Sequence, residues 1–216
     1  MFDGHNVFFD SDATYGKSWG MADYMDATGT PLIIAAVECS HKPNNGRLSE
    51  YSPFTFDDPA FGHVQGRGRS TMNWLVNVFK PYVDEHFPTI PDRAFTFIAG
   101  SSMGGLMSLY AISQYNHVFS RAAALSPSVW VTPGRLDRML RSSHMEPDTV
   151  IYMDYGSEEL RNHGEMKQHF SRVVNRLLKK DVFLTSRIVP YGEHCEACWE
   201  RQIPVFMETL LYGLDE

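Results

Sequence analysis

The tightest constraint on this fold lies in Phe97-Ile98-Ala99-Gly100-Ser101-Ser102-Met103-Gly104-Gly105-Leu106, where the hydrophobic period changes midway. Residues 94–99 make an apolar run of strand length, whereas Leu106, Leu109, Tyr110 and Ile112 recur at helical spacing. Between the two stand small residues around a single Met. A glycine turn alone could account for such a run. However, glycines two before and two after Ser102 make the pattern G-x-S-x-G, in which a serine sits on a cramped strand-to-helix turn with its hydroxyl above the sheet. Side chains at Gly100 and Gly104 would collide with neighbouring backbone. Ser101 falls at a filler position. The helix that follows presents its N-terminus, so the Met103 N–H points to where negative charge would develop on a substrate oxygen.

The rest of the chain fits a sheet around that turn. Strand-length apolar runs cover residues 32–37, 94–99, 122–125, 150–153 and 182–189. Helical patterns cover residues 19–27, 72–86, 106–115, 165–178 and 199–211, with Trp74, Leu75, Val78, Phe79 and Val83 on one face of the second. Alternating strands and helices predict an α/β fold: a mostly parallel sheet with helices on both faces. Residues 51–68, polar and rich in Pro and Gly, read as a surface excursion. The 216 residues, 43% hydrophobic, suit a single domain over residues 1–216, since no linker, repeat or low-complexity tract divides them. A net charge of −7 argues against a nucleic-acid partner. No apolar run reaches membrane-spanning length, and the three cysteines suit a reducing, cytoplasmic setting better than a disulfide framework.

A serine hydroxyl needs a base, and the base an orienting acid, in the chain order serine, acid, histidine for this kind of sheet. Of the histidines after Ser102, His117, His144, His163 and His169 lie in or beside helical or turn segments, where a solvated ring is the ordinary reading. His194 follows the last strand through Pro190-Tyr191-Gly192-Glu193, at a carboxyl end, and is the candidate base. For the acid, residues 150–153 run into Asp154-Tyr155-Gly156-Ser157-Glu158-Glu159. Asp154, Glu158 and Glu159 all compete there, and spacing does not choose among them. His194-Cys195-Glu196-Ala197-Cys198 offers two thiols and one imidazole, short of a zinc ligand set, so no metal is expected.

Met1-Phe2-Asp3-Gly4-His5-Asn6-Val7-Phe8, Glu50-Tyr51-Ser52-Pro53, Gly100 to Gly105, Ala124-Leu125-Ser126-Pro127-Ser128-Val129-Trp130, Tyr155-Gly156-Ser157-Glu158-Glu159, and Gly192-Glu193-His194 with Glu196 and Trp199 stand in this order along the chain. Together they resemble the putative esterase family of the α/β-hydrolases, which includes esterase D, enterochelin esterases, and the feruloyl and acetyl-xylan esterases of carbohydrate esterase family one. The resemblance implies an α/β-hydrolase fold and acyl transfer on a small-molecule ester, a cycle that needs no cofactor, with Ser102 as nucleophile, His194 as base and Glu159 as acid. It places a second oxyanion donor at the backbone N–H of His5, beside that of Met103. Glu159 stands where better-known members carry Asp. Members usually have strands ahead of the segment matched by residues 1–7, so an open sheet edge and a homodimer pairing across it are expected. Trp130 and Trp19 are candidates for walls of the substrate cleft, or for core aromatics. An acyltransferase, or a hydrolase fold kept as a binding module, would share much of this pattern.

Overall fold

Apolar runs from distant parts of the chain lie side by side in the computed structural model, which describes residues 1–161 and 164–214, the side chains of Leu160 and Arg161 excepted. Strands β3 (Phe97–Ser101), β4 (Arg121–Leu125), β5 (Val150–Gly156) and β6 (Phe183–Val189) form a parallel sheet in that spatial order. The register pairs Gly100 with Ala124, and Ala124 with Met153. A preceding hairpin consists of β1 (Phe56–Asp58) and β2 (Gly62–Val64).

Successive side chains of a strand face opposite ways, and the core divides accordingly. Ile98, Ala122, Ala124, Ile151 and Met153 pack with residues of α5 (Met103–Gln114), α6 (Pro133–Ser142) and α7 (Met166–Leu177). Ala99, Ala123, Leu125 and Tyr152 face α1 (Met21–Thr28), α8 (Glu196–Glu200) and α9 (Ile203–Leu211) through Met21, Trp199, Phe206 and Leu210. Helices therefore cover both faces. α9 starts afresh at Ile203-Pro204, since a proline fits the first turn of a helix but not its interior. No helix among the described residues is long and apolar enough to cross a membrane.

Several expectations need correction. Residues 32–37 form no strand: the neighbouring segment pairs for only a residue or two, at the Phe2–Val37 bridge, before Asp3 turns left-handed (φ 57°). Residues 51–68 are not a surface excursion, since they hold the β1–β2 hairpin and bury Tyr51, Ser52, Phe56 and Val64. Gly66 and Gly68 serve close backbone approach: a Cβ on Gly66 would lie 2.3 Å from the Phe54 carbonyl carbon, and one on Gly68 2.7 Å from Pro53 N. The helix expected over residues 72–86 runs as α3 (Gly68–Trp74), a π-helical stretch at Leu75–Phe79, and α4 (Lys80–His86). The π stretch precedes Pro81, which has no N–H for the preceding turn. Trp74 and Val78 consequently stay 43% and 55% exposed. α2 (Gly46–Glu50) and α6 had no counterpart in the sequence reading; α6 sits on α7 through Asp137, which accepts from Arg176 Nε at 2.6 Å.

Candidate active site

Ser102 joins β3 to α5 at φ 56°, ψ −119°, a conformation that strains a residue with a Cβ. Its backbone is tied at both ends. The Ser102 N–H donates to Leu125 O at 2.9 Å, and its carbonyl accepts from Ser128 and Leu106. Of the two motif glycines, only Gly100 is required by backbone, since a Cβ there would lie 2.8 Å from the Gly104 carbonyl carbon. Gly104, expected to meet backbone too, faces side chains instead, and it is Gly105 whose Cβ would lie 2.9 Å from Leu125 O. Met103 opens α5, so its N–H belongs to the unsatisfied first turn of the helix. Ser101 is buried at the end of β3, paired with Leu125. Ser102 Oγ is 3.4 Å from Ser128 Oγ.

The loops after β5 and β6 meet backbone to backbone. A Cβ on Gly156 would lie 2.2 Å from Gly192 O, and the Glu158 N–H donates to that same oxygen at 2.9 Å. This approach brings Glu159 to His194, with Nδ1 2.8 Å from Oε2. Of the three competing carboxylates, Glu159 is the one that reaches the imidazole. Asp154 instead accepts from the Tyr152 hydroxyl (2.6 Å) and the Ser126 N–H (3.1 Å), and Glu158 accepts from Ser157 Oγ (3.2 Å).

The other Glu159 oxygen accepts from Ser126 Oγ and the Gly156 N–H, both at 2.6 Å. Burial pushes the Glu159 carboxyl up, but the donors from His194, Ser126 and Gly156 outweigh it and hold the group below its ordinary range. Asp154 has no such set. Burial pushes it up to about 6 despite Tyr152 and Ser126. With Nδ1–H directed at a carboxylate, the free ring nitrogen of His194 is left as the proton acceptor. Trp199 packs edge-on against this ring, centroids 5.1 Å apart, and its Nε1–H donates to Ser126 Oγ at 3.0 Å. Ser126 and Trp199 are supporting residues to which sequence reasoning attached no role. Their signal was the pair of motif segments that contain them.

His5 lies in a short turn, Gly4–Asn6, entered through left-handed Asp3. The Asp3 carboxylate receives both Arg47 Nε and Nη2 at 2.7 Å, and its N–H donates to the Tyr51 hydroxyl at 3.2 Å. Gly104 adjoins this turn, where a Cβ would lie 3.0 Å from Phe2 Cβ. Trp19 does not wall a cleft. It is 3% exposed, between Trp199 and Phe206 in the core, because the chain after the turn dives beneath the sheet. Trp130 is half-buried against the ring of Phe56. His144 and His169 pair with Glu146 and Glu165, His117 lies near Tyr115, and His163 lies outside the described residues. Cys198 Sγ accepts from the Glu193 N–H (3.1 Å) and Arg201 Nη2 (2.8 Å). A grouping that sequence reading missed is His5, Cys39 and His41, whose ligand atoms all lie within 4.8 Å of one another.

A parallel sheet with helices on both faces and a serine on the strand-to-helix turn defines an α/β-hydrolase. Residues 13–209 match the family described as "Putative esterase", and the chain belongs to that family. It is 26% identical over 163 residues to the "Uncharacterized protein YbbA" of Bacillus subtilis (strain 168), a match that covers 73% of this chain and 62% of that one. The chain thus spans under two thirds of that relative's length. Among solved structures, it is similar to the enterochelin esterase from Shigella flexneri, with TM-score 0.70 and 18% identity over 100% of this chain and 51% of that one. It is also similar to the BES protein from Bacillus cereus, with TM-score 0.69 and 16% identity over 97% and 80%. The siderophore hydrolase EstA from Aspergillus nidulans shares the fold at TM-score 0.61, with 15% identity over 94% and 80%.

Proposed function

We propose that this chain hydrolyses carboxylic esters through an acyl-enzyme on Ser102. The observation that carries the reading is that a strained serine after β3 and a carboxylate–imidazole pair from the loops after β5 and β6 stand at the same, carboxyl end of one parallel sheet. Ser102 Oγ attacks the ester carbonyl while the free ring nitrogen of His194 takes its proton, and Glu159 stabilises the imidazolium. The N–H groups of Met103 and His5 receive the charge on the tetrahedral oxygen, each contributing about 3 kcal/mol in the transition state. His194 then protonates the leaving alcohol, and water, activated by the same ring, releases the acid and restores Ser102. Family membership and the esterases among the structural neighbours support ester chemistry. Short acyl or aryl esters are the substrate class, with siderophore esters suggested by two of the neighbours.

The test is hydrolysis of a short-chain p-nitrophenyl ester with mass-spectrometric mapping of a fluorophosphonate adduct. Ser102→Ala is expected to abolish turnover with an unchanged melting temperature, and the adduct to sit on Ser102. An adduct on Ser101, or full activity in Ser102→Ala, would overturn the assignment.

A further inference from the structure

We propose that His5, Cys39 and His41 form a binding site for a thiophilic divalent cation of the zinc class, on the flank of the Gly4–Asn6 turn. Backbone contacts bring the three together. The Gly4 N–H donates to Val37 O at 2.8 Å, and a Cβ on Gly4 would lie 3.1 to 3.2 Å from backbone atoms of Ala36, Val37 and Glu38. The segment carrying Cys39 and His41 is thereby fixed against the turn carrying His5. The two imidazoles lie with ring centroids 5.5 Å apart, and one ligand atom from each of the three residues lies within 4.8 Å of the other two.

A second observation points to a ligand. His5 Nδ1 is buried and has no hydrogen-bond partner. Buried ring nitrogens are normally satisfied, and a coordinate bond would serve one of the imidazole nitrogens as a hydrogen bond does. Cys39 is itself buried; burial and the nearby Asp3 carboxylate hold its proton on, and the Arg47 guanidinium clamped on Asp3 opposes them, so a cation has to displace that proton to gain the thiolate.

One thiolate and two imidazoles select a borderline or soft ion over calcium or magnesium, which take oxygen ligands. Three protein ligands leave a fourth tetrahedral position for water. His41 is largely exposed, so an ion can enter from solvent. On binding, the metal–sulfur and metal–nitrogen bonds form and the thiol proton passes to buffer, so affinity rises with pH. By contrast, Cys195 and Cys198 belong to no such group of three ligands among the described residues.

The site does not depend on the esterase reading, and its test reads metal rather than turnover. The full chain, freed of metal with a chelator, is titrated with Co²⁺ and then Zn²⁺. One Co²⁺ per chain is expected, with a thiolate-to-cobalt charge-transfer band in the near ultraviolet that Zn²⁺ displaces. The band should vanish in Cys39→Ser and persist in Cys195→Ser, and His41→Ala should weaken binding about tenfold or more. His41 is exposed, so that variant remains informative if the buried Cys39 substitution fails to fold. Absence of the band, its survival in Cys39→Ser, its loss in Cys195→Ser, or unchanged affinity in His41→Ala would each overturn the proposal.

Discussion

Gly156→Ala separates the close approach of two loops from every other feature of the site. Gly156 does not have a left-handed φ, so alanine carries no conformational penalty of that kind. What it meets is the Gly192 carbonyl: its Cβ would lie 2.2 Å from O and 2.3 Å from C, where ordinary contact begins near 3.4 Å. Backbone cannot swing aside as a side-chain tip can, so the loops after β5 and β6 must part by about 1 Å. That movement acts on the Glu158 N–H bond to Gly192 O, on the Gly156 N–H bond to Glu159, and on the 2.8 Å contact between Glu159 and His194. A displacement of about 1 Å in such a site costs on the order of 100-fold in rate, and overpacking costs about 1–3 kcal/mol of stability. The expected result is a fall of about 100-fold in kcat/KM for a p-nitrophenyl ester, with a lower melting temperature. Gly134→Ala in α6, where a Cβ meets nothing within 4 Å, is the control: it should leave kcat/KM unchanged and should not lower the melting temperature. If Gly156→Ala stays within about threefold of the parent and melts normally, glycine contact is not what fixes the pair.

Glu159→Gln is expected to lower kcat by about 10²–10⁴-fold without abolishing it, because the oxyanion donors remain; loss as complete as in Ser102→Ala would contradict this. Since the folded Glu159 carboxyl is held below its ordinary range, its stabilising contribution is present above the unfolded value and lost as pH falls through the folded one. Thermal melts from pH 6 to pH 3 should therefore show a stability loss that Glu159→Gln lacks. Asp154 has the opposite sign: raised to about 6, its contribution is complete below the unfolded value and lost as pH climbs through about 6. Asp154→Asn should gain up to about 3 kcal/mol relative to the parent between pH 4 and pH 7, and a pH-independent difference in melting would refute it. The edge beyond residues 1–4, expected to be open, is covered by residues 35–37. We therefore propose that a second copy packs on the outer side of residues 32–37, where Ile33 is exposed and a cavity of about 330 Å³ is lined by Ile34, Leu75, Phe79 and Val83. Static light scattering at micromolar concentration should give the dimer mass, and a monomer mass rejects this.

What could be read from the sequence was local. The turn at Ser102 is specified within ten residues, because a strand, a helix start and the glycines that relieve their collision are contiguous. Alternation of strands and helices implies that β3 to β6 run parallel, since each helix returns the chain to the same end of the sheet, but it does not dictate their side-by-side order. The choice among Asp154, Glu158 and Glu159 was not local. It rests on the contact of Gly156 with Gly192, which spacing along either loop does not reveal. Residues 32–37 have strand composition, yet a strand also needs a partner of matching length. The glycines of residues 51–68 carry the same letters whether they line a solvent loop or let backbone pass within contact distance. In α6, Leu136, Met139 and Leu140 recur at helical spacing, but three arginines and Gly134 among ten residues mask them. His5 and Cys39 are 34 positions apart, and backbone bonds between the segments of residues 1–4 and 35–37, that of Gly4 to Val37 among them, make them neighbours.

The same contacts explain how a strained, charged site stays ordered. A serine in the Ser102 conformation costs about 1–3 kcal/mol, which persists only where the surroundings leave no alternative. Here its N–H and C=O are both engaged, by Leu125, Ser128 and Leu106, so relaxing the dihedrals would break three backbone bonds. The Glu159 charge adds to the rise of the Asp154 carboxyl, and two ionised carboxylates in one buried region would work against the fold. The donors are divided unequally. Glu159 takes an imidazole, a hydroxyl and a backbone N–H, whereas Asp154 takes a phenol and a backbone N–H. Charge therefore concentrates on the carboxylate that faces His194. Ser126 links the two, since its N–H serves Asp154 while its hydroxyl donates to Glu159 and accepts from Trp199. In the proposed mechanism, a proton acquired by His194 is thus stabilised by a carboxylate that is already ionised and already oriented, with no reorganisation required at the moment of transfer.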